Sequence, residues 1–197
     1  MIKDDQGNMI TEEEKVMNEW KNYFVELLNR PEPDDPITGT LFYGPEIEIE
    51  EPNIIEVKTA IKTLRNNKSP GRDNIPSEIW KMGGEILENR LYRLTRMIWK
   101  EERTPEDWEE GIIVPLHKKG DRLICKNYRG ISLWSTAYKI FTRILYNRMS
   151  VYSEAIVGEY HAGFRKRRST TDQLFTIRQI TEKDWEFNRY AVHTFID

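Results

Sequence analysis

The chain has 197 residues, 38% hydrophobic and 11% aromatic with six Trp, enough for one ordinary domain with a real core and too aromatic for a disordered polar chain. No apolar run approaches the length that spans a bilayer. The stretch Met1 to Asn8 holds no apolar signal segment. The single cysteine, Cys125, excludes an internal disulfide framework and points to a reducing compartment, nucleus or cytoplasm.

The net charge of −3 conceals an asymmetry. Residues 1–56 carry 4 Lys/Arg against 15 Asp/Glu, a net of −11; residues 57–110 carry 11 against 10, a net of +1; residues 111–197 carry 15 against 8, a net of +7. The local field of the basic part is compatible with a polyanionic partner whatever the total. Two solvated charged faces would account for the same counts.

In chain order, residues 1–10 are polar and read as frayed. Thr11-Glu-Glu-Glu14 reads as a capping box, opening an amphipathic helix that carries Val16, Trp20, Phe24, Leu27 and Leu28 and stops before Pro31. Packing on its own domain is the plainer role for this helix, docking to another module the alternative. Residues 30–52, acidic and punctuated by Pro31, Pro33, Pro36, Pro45 and Pro52, read as a linker.

A second helix is expected from about Pro52, at its first position, to Asn66, with Ile54, Val57, Ile61 and Leu64 on one stripe. The loop Asn66 to Pro76 carries Lys68 and Arg72 around Pro-Gly, a spacing that can hold a phosphate backbone with the help of loop amides. A short helical turn at Ile75 to Met82 is broken by Gly83-Gly84. A longer helix, about Glu85 to Glu102, follows, with Arg90, Arg93, Arg96 and Lys100 mostly on a solvated face. Thr104 to Trp108 is a turn with an anchoring aromatic.

The basic part opens with two apolar strands, 111–116 and 128–133, either side of a polar connection, an antiparallel pair with a projecting loop. Lys118, Lys119, Arg122 and Lys126 lie on that loop and Arg129 on the second strand, a set suited to clamping phosphate, Lys as a point charge and Arg as a fork. His117 beside them reads as incidental rather than as a proton donor. A helix from Ser135 to about Met149 packs Tyr138, Phe141 and Leu145, and 150–162 reads as an irregular connection. Gly163 to Ser169 is a basic hairpin candidate holding the densest cluster, Arg165 to Arg168. It adjoins the start of a helix at Ser169-Thr-Thr-Asp172, where a helix N-terminus adds to the attraction for phosphate; a nuclear localisation signal fits the same residues. The last element expected is an apolar strand, Ala191 to Ile196, ending on Asp197. The chain shows no CxxC pair, no HExxH, no NTPase phosphate loop and no Gly-x-Ser-x-Gly elbow.

Five blocks together resemble the amino-terminal half of the reverse transcriptase of non-LTR (LINE-like) retrotransposons. They are Lys68-Ser-Pro-Gly-Arg-Asp-Asn-Ile-Pro76, Ile113-Val-Pro-Leu-His-Lys-Lys-Gly-Asp121, Asn127-Tyr-Arg-Gly-Ile-Ser-Leu133 with Tyr138-Lys-Ile140, Gly163-Phe-Arg165 with Arg168-Ser-Thr170, and Phe195-Ile-Asp197. The resemblance implies an α+β, mostly helical fold: the fingers subdomain of a right-hand polymerase with a truncated palm. Residues 1–51 would be an N-terminal extension and linker, 52–190 the fingers, and 191–197 the first palm strand.

The resemblance also implies an RNA template, a DNA primer and a deoxynucleoside triphosphate as partners, no membrane, and an endonuclease module upstream. Lys118, Arg129 and the neighbouring Lys119 would meet the triphosphate; Lys68, Arg72, Arg165, Lys166 and Arg168 would hold template backbone. Asp197 would be the first catalytic carboxylate, a ligand to two Mg2+ ions that activate the attacking hydroxyl and stabilise the leaving pyrophosphate. A single carboxylate cannot hold that pair, so the chain alone is expected to be inactive. A co-opted nucleic-acid-binding module and a partial gene product are the alternatives. Two residues depart from the family pattern: Arg167 stands where glycine is common, and His161 where glutamine is.

Overall fold

The computed structural model describes residues 1–31 and 50–196. The linker expected at 30–52 falls mostly outside these residues, and Asp197 falls outside them altogether. The fold is α+β and mostly helical. The elements are β1 (Ile2–Lys3), β2 (Met9–Ile10), α1 (Glu13–Leu28), α2 (Ile54–Thr63), α3 (Ser77–Met82), α4 (Gly84–Glu101), β3 (Ile112–His117), β4 (Tyr128–Leu133), α5 (Thr136–Ile156) and α6 (Thr170–Glu186). They form two compact units, 1–145 and 146–197, with α5 running through the boundary.

The core of the first unit is helical. α2 contributes Val57, Ala60 and Ile61, α3 Trp80, α4 Leu91 and Ile98, and α5 Ala137, Ile140, Phe141 and Ile144. Trp108 closes the cluster from a 3-10 turn at Glu106–Trp108, with its ring 5.9 Å from that of Phe141. Of the stripe expected of α2, Val57 and Ile61 are buried and Ile54 and Leu64 half-buried, and Ala60 joins them in the core.

α2 starts two residues later than expected. Ile54, not Pro52, is its first residue, and Asn53 is the N-cap; its side chain accepts from the Ile55 and Glu56 amides, and the Glu56 carboxylate accepts from the Asn53 amide. The expected box at Thr11 is absent. α1 starts after Glu12, and no side chain caps it.

Residues 1–10 are not frayed. β1 and β2 form a short hairpin in which Ile2 is buried, and the Lys3 amide donates to Leu123 O at 2.7 Å. Two ion pairs, Lys3–Asp121 at 2.8 Å and Lys126–Asp5 at 2.6 Å, tie this end to the β3–β4 connection. The segment is polar yet ordered because its partner lies more than a hundred residues away.

β3 and β4 pair antiparallel from Ile112↔Leu133 to His117↔Tyr128. By the pleat, Ile113, Pro115, His117, Tyr128, Gly130 and Ser132 share one face, and Ile112, Val114, Leu116, Arg129, Ile131 and Leu133 the other. α1 covers the first face. Tyr23 Oη donates to Tyr128 O at 3.3 Å, and the Trp20 and Tyr128 rings meet edge-on at 4.9 Å. α1 is thus packed on its own domain.

In the second unit, α5 continues to Ile156, so the irregular connection expected from residue 150 begins only after it. Ser150 to Ile156 contains neither Gly nor Pro, and the first breaker is Gly158. The hairpin expected at Gly163 to Ser169 is instead two successive turns, with Phe164 at φ 58° and Arg167 at φ 61°. Left-handed residues at both positions interrupt the extended backbone that the two strands of a hairpin need. α6 starts where expected: the Ser169 hydroxyl accepts from the Thr171 amide, and the Asp172 carboxylate accepts from the Ser169 amide. Residues 191–196 form no strand. Val192, Phe195 and Ile196 are exposed, and among the described residues no strand pairs with them to satisfy a ladder.

Candidate nucleotide and nucleic-acid interface

The connection between β3 and β4 is a braced turn rather than a loose loop. The His117 ring donates from Nε2 to Gly120 O at 3.1 Å, so its role here is structural. Gly120 sits at φ 82°, and a Cβ there would stand 2.9 Å from the Asn127 amide nitrogen, so glycine is required. Asn127 Nδ2 donates to Asp121 O at 2.8 Å, the Leu123 amide donates to Asp121 Oδ1 at 2.9 Å, and Tyr128 Oη donates to Arg122 O at 2.8 Å. Lys3 beside Asp121, with the Leu123 amide, holds the Asp121 carboxyl below its ordinary value.

This frame fixes the bases of two cations. The Lys118 amide donates to Asn127 O at 2.8 Å, which continues the ladder one step beyond His117↔Tyr128. Lys118 therefore falls on the Leu116–Arg129 face, and the two cations are near neighbours at the closed end of the hairpin. Lys119 lies at the turn tip. All three are exposed and make no ion pair among the described residues. Beside them a cavity of about 430 Å3, lined by Tyr23, Phe24, Lys118, Lys126, Arg129 and Ser132 among others, opens between α1 and β4.

Lys68 and Arg72 belong to a loop at the other end of the same hairpin. Gly71 is buried against the backbone of Trp134 and Ser135, leaving no room for a Cβ. Thr136 Oγ1 donates to Ile75 O at 2.9 Å, and Lys139 Nζ donates to Ser69 O at 3.5 Å. Arg72 is paired with Glu110, just before β3, while Lys68 is exposed. Since Arg129 lies four residues from Leu133, about 13 Å of strand separates the two cation groups. The Lys68 loop and the Lys118 turn are thus the two ends of one rigid ribbon.

In the second unit, Arg165 is an internal tie. Its side chain is only 9% exposed; it pairs with Glu154 at 2.6 Å and donates to Gly158 O at 2.9 Å and His161 O at 3.2 Å. Arg165 beside it holds the Glu154 carboxyl below its ordinary value. Lys166 and Arg167 are exposed without ion pairs among the described residues, and Arg168 pairs with Glu159. Arg96 and Lys100, expected on a solvated face of α4, both pair with Glu51, Arg96 at 2.7 Å.

Among the described residues, no group of three or more His, Cys, Asp or Glu side chains is placed to hold a metal ion. They do not by themselves make a magnesium site; Asp197 is outside them. No helix among them is long and apolar enough to cross a membrane. Sequence reasoning expected α1 to pack on its own domain but did not name the β3–β4 hairpin as its partner, and it missed the bracing role of residues 1–10.

No family model matches the chain. Several curated proteins do. A probable RNA-directed DNA polymerase from transposon BS of Drosophila melanogaster is 27% identical over 154 residues, 77% of this chain and 17% of that protein. A probable RNA-directed DNA polymerase from transposon X-element of the same organism is 29% identical over 145 residues, 72% of this chain and 16% of that protein. An uncharacterized 149 kDa protein of transposon TX1 from Xenopus laevis is 27% identical over 125 residues, 64% of this chain and 10% of that protein. The chain spans less than a fifth of the length of each of these relatives. Their names bear out the resemblance carried by the five sequence blocks: this chain is similar to the RNA-directed DNA polymerases of non-LTR retrotransposons.

Proposed function

We propose that the chain is the template- and nucleotide-contacting fingers region of a retrotransposon RNA-directed DNA polymerase. The observation that carries this reading is the pair Lys118 and Arg129, exposed side by side on a hairpin end braced by His117, Asn127 and Tyr128. A triphosphate needs several cations at fixed separation, and a rigid turn supplies them without an ordering cost at binding. In this reading Lys118 and Arg129 meet the phosphates of the incoming deoxynucleotide, and Lys119 stands at the rim. Lys68 and Arg72 hold template backbone at the far end of the ribbon. Lys166 and Arg168 do so in the second unit, with Arg165 shaping the loop that carries them.

Asp197 would be the first carboxylate to hold Mg2+, which when bound would supply activation of a primer 3′-hydroxyl and stabilisation of the departing pyrophosphate. RNA template, DNA primer and deoxynucleoside triphosphate are the partners, and the chain by itself does not extend a primer. The test is a titration with a fluorescent deoxynucleoside triphosphate. Lys118→Ala combined with Arg129→Ala should weaken binding at least tenfold, the worth of about one charge-assisted hydrogen bond. Lys62→Ala, an exposed cation on α2, should leave it unchanged. Equal affinities for the parent and the double variant would overturn the assignment.

A further inference from the structure

The turn after α5 exposes an aromatic ring at a conformational cost. Phe164 is fully solvent-exposed and stands at φ 58°, a region that side-chain-bearing residues rarely adopt. Arg167, three residues on, stands at φ 61°. Such backbone strain persists only where the surroundings impose it, and it concentrates at binding sites. Here the surroundings are visible. The guanidinium of Arg165 is withdrawn from solvent and bonded to Glu154, Gly158 O and His161 O, so the residue after Phe164 is an anchor. Phe164 precedes the anchor and is exposed, and Lys166 and Arg167 follow it as exposed cations.

An exposed ring on an anchored turn next to exposed cations fits one ligand chemistry well: a single-stranded nucleic acid, whose bases each offer a flat face and whose backbone is anionic. Building on the function proposed above, we infer that Phe164 is a base-stacking residue for a single-stranded RNA whose backbone runs along Lys166 and Arg167. Stacking tolerates any base, so this contact adds affinity without sequence preference. Because Arg165 holds the turn in advance, little ordering is lost when the strand binds.

The test is fluorescence anisotropy of the 197-residue chain with a labelled oligouridylate and with an abasic oligonucleotide of the same length. Phe164→Ala should weaken oligouridylate binding about tenfold, the value of one aromatic stack, with an unchanged salt slope. Phe164→Trp should bind as tightly as the parent. The parent should hold the abasic strand no better than Phe164→Ala holds oligouridylate. Binding by the parent with no loss in Phe164→Ala, or equal parent affinity for the two strands, overturns the inference and leaves the proposed function standing. No binding by any form at low salt overturns both.

Discussion

Phe24 of α1 lies over Gly130 of β4 so closely that a Cβ there would stand 2.8 Å from Phe24 Cε1 and 3.0 Å from Ile113 Cγ2. The glycine in Asn127-Tyr-Arg-Gly-Ile-Ser-Leu133 is thus explained by the helix upstream of the linker. Gly130→Ala should destabilise the chain by roughly 1–3 kcal/mol through overpacking, measured by urea unfolding. Phe24→Leu should relieve part of that loss, so the double variant should cost less than the sum of the singles. Strict additivity would mean that the contact does not determine the residue.

Arg167 occupies a left-handed turn position. Arg167→Gly should remove the steric cost of φ 61° and stabilise the chain by about 1 kcal/mol, less the entropy that glycine adds to the unfolded chain. It should also flatten the salt dependence of RNA binding by about one charge. Thermal unfolding and a salt titration read the two effects separately.

The indole nitrogen of Trp80 is buried and has no hydrogen-bond partner among the described residues. Trp80→Phe removes an unsatisfied donor while it leaves most of the apolar contact. It should therefore lie within about 1 kcal/mol of the parent. Leu91→Ala, in the same cluster, should cost about 2–5 kcal/mol by opening a cavity. Similar losses in the two variants would show that the Trp80 nitrogen is satisfied in solution.

Asp121 supplies the pH dependence of the hairpin clamp. Its carboxyl lies below the ordinary value because Lys3 and the Leu123 amide stabilise the charged form. The stability it contributes is complete above the ordinary Asp range of about 4 and is lost as pH falls through the lowered folded value. Asp121→Asn should therefore reduce the acid sensitivity of the urea midpoint, and it should move the midpoint more at neutral pH than in acid. An unchanged pH profile would mean that Lys3 and Asp121 are solvated separately.

Elements with a local signal were legible in the sequence, and those held by distant partners were not. The β3–β4 pairing follows from two short apolar runs, and the start of α6 follows from a hydroxyl with a carboxylate three residues on. β1 and β2 left no such trace. Their order comes from Leu123, Asp121 and Lys126, and only Ile2 is buried. Residues 191–196 are apolar enough to read as a strand, yet composition supplies no ladder partner. Type and spacing offered the cations at 118 and 129 within a set of five, and the resemblance singled them out; that Arg165 is turned inward could not be read, since its partner Glu154 lies in a stretch that reads as irregular.

The salt dependence of RNA binding tests the central claim most directly. The account predicts that the 197-residue chain binds single-stranded RNA at low salt, with the logarithm of affinity falling linearly against the logarithm of salt. It also predicts that Lys68→Ala and Lys166→Ala each reduce the slope by about 0.7, the value for one phosphate contact on a single strand. Affinity that is flat in salt, or slopes unchanged in both variants, would contradict it.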